Sequence, residues 1–152
     1  MNSTKYSLSK RSLDRLEGVD EDLIKVVKFA IGMTRTDFGV TEGLRTIARQ
    51  EELVNKGASK TMKSMHIIGR AVDLVAYDNG NVVWELPFYF DIADAMKEAA
   101  VMVDVPLQWG AAWHIEDIRK FDGSMKDAYN EYVDKRRSQG RTPFIDAPHF
   151  QI

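Results

Sequence analysis

Apolar residues recur at three- and four-residue spacing in two segments of the chain, and this period predicts two amphipathic helices. The first segment is 22–34, where Asp20 stands in the N-cap position, and the second is 88–103. A third helix is predicted for 45–56, ending at Gly57. The buried sides of the first two helices are predicted to contain Leu23, Val26, Val27, Ala30 and Ile31, and Ile92, Ala95, Met96, Ala99 and Met102, respectively.

Short runs of apolar and β-branched residues predict strands between these helices. The most central is 71–77 (AVDLVAY), and Asp78-Asn79-Gly80 is a strong hairpin-turn signal that sends 81–84 back as the next strand. Further short strands are predicted at 37–42, 107–109 and 150–152, and a polar loop at 58–64. Together these elements predict an α+β fold, with a small, mostly antiparallel sheet backed by helices.

Composition narrows the possible functions. A length of 152 residues is typical of one domain, and a formal net charge of −2 argues against a dedicated nucleic-acid-binding protein. The chain has no cysteine, which excludes disulfides and thiolate ligands, so a transition metal would need His, Asp or Glu. The first 18 residues are polar and charged, unlike a secretory signal, and no run approaches the roughly 20 apolar residues of a membrane span.

The most informative segment is 64–73 (SMHIIGRAVD), in which His66 precedes Asp73 by seven residues. Asp73 stands inside an apolar strand, where an isolated carboxylate is costly to bury unless it is paired or binds a metal. With His66 on the preceding turn and Gly69 allowing a tight bend, both side chains can converge on one point. Taken alone, a buried histidine is more often a hydrogen-bonded core residue, and an aspartate on a strand is more often an ion-pair partner.

A second segment, 146–152 (DAPHFQI), places the carboxylate of Asp146 three residues before His149. Two histidines and one carboxylate on zinc, with the fourth position left to water, form an open catalytic site. The remaining histidine, His114, is expected on a cleft wall or the surface rather than on the metal.

These motifs resemble the superfamily of zinc D-alanyl-D-alanine carboxypeptidases and L-alanyl-D-glutamate endopeptidases, and most closely the bacteriophage endolysin peptidases. The signature SxHxxGxAxD matches 64–73, and the later carboxylate-x-x-His matches 146–149. The segments 38–59, containing GLRT, and 108–113 (QWGAAW) extend the resemblance over most of the chain. The resemblance implies a fold of the Hedgehog/D-Ala-D-Ala-peptidase type, with the metal on the open face of the sheet.

The resemblance also implies a role for each matching residue. Zn²⁺ would be held by His66, Asp73 and His149, and Asp146 would be the acidic general base. Arg45 would polarise the scissile carbonyl or stabilise its oxyanion; the alternative is a structural salt bridge to Glu42 or Glu52. The expected substrate-binding residues are Ser64, Gln50 and Trp113.

The expected function is therefore that of a phage endolysin that cleaves peptidoglycan with L-alanyl-D-glutamate endopeptidase activity. Two alternatives remain open, a D,D-carboxypeptidase that removes terminal D-Ala and a non-catalytic zinc module that binds the cell wall. The expected protein is a monomer without nucleic-acid partners or membrane insertion, made in the host cytoplasm and acting in the periplasm after holin release.

We expect residues 1–152 to form a single domain with a charged insertion at about 114–145, where compact relatives have a short connection. One surface helix is predicted within 116–140. The insertion is interpreted either as a solvated surface segment or as a substrate-contacting arm that uses Lys135, Arg136 and Arg137.

Overall fold

The structure is a computed structural model that describes residues 6–59 and 61–152. The helices of the described residues are α1 (Lys10–Arg15), α2 (Glu21–Ile31), α3 (Ile47–Asn55), α4 (Leu86–Val103) and α5 (Met125–Ser138). The strands are β1 (Asp37–Glu42), β2 (Ala71–Asp78), β3 (Asn81–Val83), β4 (Gln108–Trp109) and β5 (His149–Gln151). A 3-10 turn, Ile118–Lys120, precedes α5.

The strands form one antiparallel sheet in the order β1-β2-β5-β4, with β3 also paired to β2. Successive side chains of a strand point to opposite faces, so each strand divides its residues between the two faces. One face contributes Val72 and Leu74 of β2 and Phe150 of β5 to the hydrophobic core, all fully buried. The helices α2 and α4 pack on each other within the same core, so the α+β architecture predicted from the pattern is confirmed.

The local signals act as predicted at most element boundaries. Asp20 caps α2 by accepting a hydrogen bond from the N–H of Asp22 at 2.8 Å. The turn between β2 and β3 places Asn79 and Gly80 at φ values of 52° and 79°, the left-handed pair that a tight hairpin requires. In the loop predicted at 58–64, the described residues 58–59 and 61–64 form neither helix nor strand, and residue 60 lies outside the described residues.

The apolar stripe of α4 differs from the prediction at its C-terminal end. Met102 was expected on the buried side, but its side chain is 58% exposed. The buried stripe runs instead through Ala99 and Ala100 to the half-buried Val103. Four-residue steps from Ala99 lead to Val103, so the prediction that placed Met102 in the core was wrong by one position around the helix.

The charged segment that follows β4 is anchored to the rest of the molecule by α5. This helix packs on α4 and has a buried face made of Met125, Ala128, Tyr132 and Val133. At its start, the N–H of Met125 donates to the carboxylate of Asp94 on α4 at 2.8 Å. The predicted surface helix therefore exists, with one side packed and the other charged. Among the described residues, no helix combines the length and the apolar character needed to cross a bilayer.

Asp117 ties the segment before α5 to β4, and we expect its replacement by asparagine to lower stability by about 1–3 kcal/mol. Its buried carboxylate accepts hydrogen bonds from the N–H of Leu107 at 3.3 Å and from the backbone and guanidinium of Arg119 at 2.9–3.1 Å. Burial opposes its ionisation, but the hydrogen bonds from Arg119 and Leu107 outweigh burial and lower its pKa. Thermal unfolding of Asp117→Asn at neutral pH measures the loss.

The matched control is Asp104→Asn, which removes an exposed partner of the same arginine and should change stability by less than about 0.5 kcal/mol. A carboxylate with a lowered folded-state pKa contributes stability above its unfolded pKa of about 3.9, and this contribution is lost as the pH falls. The difference between wild type and Asp117→Asn should therefore shrink in acid. Equal unfolding temperatures for both variants would contradict the anchoring role.

Candidate metal centre

Strand pairing brings together residues that are far apart in the sequence. Asp73 of β2 stands directly opposite His149 of β5 in the antiparallel register, on the face of the sheet that lies opposite Val72 and Phe150. His66 lies on the turn that precedes β2, and Gly69 completes this turn with a φ of 72°. A Cβ at Gly69 would lie 2.5 Å from the carbonyl oxygen of Gly18, so the bend that returns His66 to the strand requires glycine here.

The three side chains meet around one carboxylate oxygen. Oδ1 of Asp73 lies 3.2 Å from Nε2 of His66 and 3.2 Å from Nδ1 of His149. The two imidazole rings meet edge to face with centroids 5.1 Å apart. One ligand atom from each of these three residues lies within 4.8 Å of the other two, an arrangement that could hold a metal ion.

Each imidazole has its second nitrogen next to a hydrogen-bond acceptor. Nδ1 of His66 lies 2.8 Å from the carbonyl oxygen of Gly43, and Nε2 of His149 lies 2.8 Å from Oε1 of Gln151. A carbonyl oxygen only accepts, so Nδ1 of His66 carries a proton, and Nε2, on the side of Asp73, is the nitrogen available to a metal ion. Partners of this kind orient metal-binding histidines in known sites.

The charges of the cluster favour a cation at its centre. Burial opposes ionisation of Asp73, but hydrogen bonding to His149 and His66 outweighs it and lowers its pKa well below the ordinary range. Burial also disfavours protonation of His149, yet the interaction with Asp73 raises its pKa. The two imidazoles and the carboxylate converge in a largely buried place. Together they favour a positive charge between them, which a proton or a metal ion can supply.

The donor set and its spacing fit a tetrahedral ion. Zinc binds imidazole nitrogen and carboxylate oxygen at about 2.0–2.2 Å, so two ligand atoms of a regular tetrahedron lie about 3.3–3.6 Å apart. The two 3.2 Å separations from Asp73 to the histidines are close to this value. His66, Asp73 and His149 would therefore be able to hold zinc with a position left for another ligand.

Asp146 is held next to this cluster by its backbone. Its N–H donates to the carbonyl oxygen of Gly110 at 2.8 Å, and its own carbonyl oxygen accepts from the N–H of His149 at 3.0 Å. A Cβ at Gly110 would lie 2.2 Å from the carbonyl oxygen of Asp146, so only glycine admits this close approach. Burial and the charge of Asp73 raise the pKa of Asp146, while His149, among other groups, lowers it.

Arg45 also lies next to the cluster, with its side chain largely buried. Its guanidinium forms a two-pronged ion pair with Glu42, donates to Oε1 of Gln50 at 2.7 Å and lies 3.8 Å from Oδ2 of Asp73. Oγ of Ser64 accepts from Arg45 at 3.4 Å. The structural salt bridge considered as an alternative thus exists with Glu42, and the same guanidinium also faces the cluster.

Gln50 is fully buried, and its amide also donates to Oγ of Ser59 at 2.8 Å. By accepting a hydrogen bond from Arg45, Gln50 helps to hold the guanidinium in place. Ser64 accepts a hydrogen bond from the N–H of His66 at 3.2 Å and so also fixes the turn that carries this histidine.

A groove of about 190 Å³ begins beside the cluster. The indole of Trp113 packs on the rings of both His149 and Phe144, with centroids 5.5 and 6.2 Å away. His114 lies outside the three-residue cluster; it packs on the ring of Tyr132, and its Nε2 lies 2.8 Å from a carboxylate oxygen of Glu131. The groove is lined by Trp113, His114, Tyr132, Lys135, Arg136 and Gln139, and Arg137 is not among its walls.

Sequence reasoning missed two kinds of residue at this site. Gly43 contributes through its backbone, which no side-chain pattern reveals. Gln151 had a usable signal, because residues two apart on a strand share a face and Gln151 follows His149 by two. Its partner Gln108 could not be found from the sequence, since the pairing of β4 with β5 is set by the tertiary fold.

Comparison with known proteins adds an independent observation to this geometry. The family model described as phage L-alanyl-D-glutamate peptidase matches residues 4–152. The chain belongs to this family. The motif-based resemblance and the predicted peptidase fold are thereby confirmed.

Individual relatives agree with the family match. The L-alanyl-D-glutamate peptidase of Escherichia phage T5 is 30% identical over 113 residues, covering 72% of this chain and 82% of that protein. The L-alanyl-D-glutamate peptidase of Listeria phage A118 is 32% identical over 74 residues, but these cover 49% of this chain and 25% of that protein.

Among solved structures, the L-Ala D-Glu endopeptidase ChiX of Serratia marcescens is similar, with a TM-score of 0.72 and 33% sequence identity. The superposed region covers 97% of this chain and 91% of that chain. The likeness therefore extends over the whole fold, including the segment that contains α5.

Proposed function

We propose that this protein is a zinc-dependent endopeptidase that cleaves the L-alanyl-D-glutamate bond in the stem peptides of bacterial peptidoglycan, acting as a phage endolysin. The observation that supports this most directly is the convergence of His66, Asp73 and His149 around one point in a chain of the phage L-alanyl-D-glutamate peptidase family. The bond itself is inferred from the activities for which the relatives are named.

Zinc is the proposed ion because of the donor set. Two imidazoles and one carboxylate, with no thiolate in the chain, match the ligands of catalytic zinc in hydrolases. A bound zinc ion supplies a Lewis acid that polarises a carbonyl group and lowers the pKa of a coordinated water toward about 7.

The proposed role of Asp146 is that of general base. The pKa of Asp146 is raised and so lies nearer to neutral pH than that of an ordinary aspartate. A base with such a pKa is better suited to accept a proton from the attacking water and to pass it to the leaving amine. The tight backbone contact with Gly110 holds this carboxylate beside the cluster, so little reorganisation is needed.

Arg45 is proposed to stabilise the negative charge that develops on the scissile carbonyl oxygen. Its pairing with Glu42 and Gln50 holds the guanidinium in one orientation, and it remains 3.8 Å from Asp73. Gln50 would then influence the substrate through Arg45 rather than by direct contact, because it has no exposed surface. Ser64 is half-buried, and we propose that it contacts the substrate beside Arg45.

Trp113 is proposed to line the substrate cleft, since its indole contacts His149 and Trp113 also lines the groove beside α5. We propose that residues 1–152 form a single domain, of which residues 1–5 lie outside the described part. The charged segment at about 114–145 would form the far wall of that cleft. Lys135 and Arg136 stand where they could meet an anionic stem peptide, as the arm interpretation requires. We further propose that the enzyme acts as a monomer in the periplasm, after synthesis in the host cytoplasm and holin-dependent release.

Digestion of purified peptidoglycan followed by mass spectrometry of the products tests this assignment. We expect free stem peptides that begin with D-Glu and glycan strands that retain L-Ala on the lactyl group. Products that have lost only a terminal D-Ala would identify a D,D-carboxypeptidase instead. Undigested peptidoglycan that nevertheless retains the zinc-loaded protein would identify a non-catalytic binding module.

A further inference from the structure

A row of side-chain hydrogen bonds runs from the metal cluster along the open face of the sheet. Nε2 of His149 lies 2.8 Å from Oε1 of Gln151, whose Nε2 donates to Oε1 of Gln108 at 3.0 Å. Nε2 of Gln108 then donates to the backbone carbonyl oxygen of Trp113 at 3.1 Å. Gln108 and Gln151 stand opposite each other in the pairing of β4 with β5, so strand register holds the two amides together.

The direction of this row follows from its last member. A backbone carbonyl oxygen can only accept, so Gln108 must present its amide nitrogen to Trp113 and its oxygen to Gln151. Gln151 must then turn its nitrogen to Gln108 and its oxygen to His149. An amide oxygen also only accepts, so Nε2 of His149 must carry the proton. Nδ1, which lies 3.2 Å from Asp73, is then the nitrogen available to a metal ion.

We propose that Gln151 and Gln108 are positioning residues that fix His149 as the Nε2–H tautomer and hold its ring in the plane where Nδ1 meets the metal. This inference rests on the proposed zinc site. In it, two side chains outside the ligand set determine the orientation and the protonated nitrogen of the ligand His149. Neither glutamine belongs to the group of possible metal ligands, and both would act through His149.

The two histidine ligands are thus controlled in different ways. His66 is fixed by the backbone carbonyl of Gly43, which no side-chain substitution removes. His149 depends on side chains and on the indole of Trp113, whose ring lies 5.5 Å from its own and whose carbonyl oxygen ends the row. Loss of Gln151 would leave His149 free to protonate either nitrogen and to turn its ring. His149 is therefore the ligand whose preorganisation can be weakened by mutation without removing a ligand.

Zinc affinity of the purified protein, measured by competition with a chromophoric chelator, tests the proposal without using activity. Gln151→Leu removes the acceptor while keeping a side chain of similar size, and we expect zinc binding about 10- to 100-fold weaker than in wild type. Gln151→Glu keeps an acceptor for Nε2–H and should recover most of the affinity. Asn130→Leu, which likewise replaces an amide by leucine but at an exposed position of α5 away from the groove, should leave zinc affinity unchanged.

Nitrogen-15 NMR of the histidine rings supplies the second readout. In zinc-loaded wild type, His149 should show a protonated Nε2 and a metal-bound Nδ1, and Gln151→Leu should lose this single pattern. If Gln151→Leu lowers only the unfolding temperature while zinc affinity and the tautomer stay as in wild type, the glutamines merely join β4 to β5 and the proposal is overturned. Wild-type protein that binds no zinc would instead overturn the proposed metal function, and this inference with it, before any variant is measured.

Discussion

Replacement of His66 by alanine is expected to remove both the bound metal and the peptidase activity. His66 is buried, is held by Gly43 and supplies one of three ligand atoms. The variant would keep only two of the three ligand atoms, so zinc would be bound far more weakly. Elemental analysis after dialysis, together with digestion of purified peptidoglycan, measures both effects.

The matched control for this prediction is His114→Ala. His114 is also largely buried and also contacts a carboxylate, that of Glu131, but it lies outside the ligand cluster. This variant should keep stoichiometric zinc, and comparing the thermal unfolding of the two variants separates loss of metal from loss of fold. Full zinc occupancy in purified His66→Ala would refute the ligand assignment.

The sequence predicted the structure best where a single local signal determines the element. The hairpin at 78–80, the N-cap at Asp20 and the strand 71–77 each follow from turn chemistry, capping or an apolar run within a few residues. The convergence of His66 and Asp73 is of the same kind, because a single turn separates them. His149 could be joined to them only through the family motif, since the register of β2 with β5 depends on the whole sheet.

What the sequence left out depends on tertiary contacts. The short helix α1 was not predicted, because its six residues are too few to show a helical period. The buried face of α5 was underestimated, since its charged residues dominate the pattern and its contacts are with the distant α4. The row of hydrogen bonds through Gln151 and Gln108 could not be predicted, because it depends on the β4–β5 register and on the position of the Trp113 backbone.

Asp146→Asn should retain zinc and lose cleavage. Asparagine has nearly the volume of aspartate, and the backbone bonds to Gly110 and His149 that position residue 146 do not involve its side chain. The amide cannot accept a proton from water at accessible pH, so the rate should fall by about 10²- to 10⁴-fold. Turnover of purified peptidoglycan with parallel zinc analysis measures the two properties separately.

The pH dependence of turnover gives this prediction a second arm. Burial and the charge of Asp73 raise the pKa of Asp146, so wild-type activity should fall on the acid side as this carboxylate is protonated, at a higher pH than for an ordinary aspartate. The residual activity of Asp146→Asn should lack that acid limb. The exposed Asp104→Asn serves as the control for the chemical change and should keep both the rate and the wild-type profile. Near-wild-type turnover in Asp146→Asn would assign the base to another group, and loss of zinc in that variant would make Asp146 part of the metal site instead.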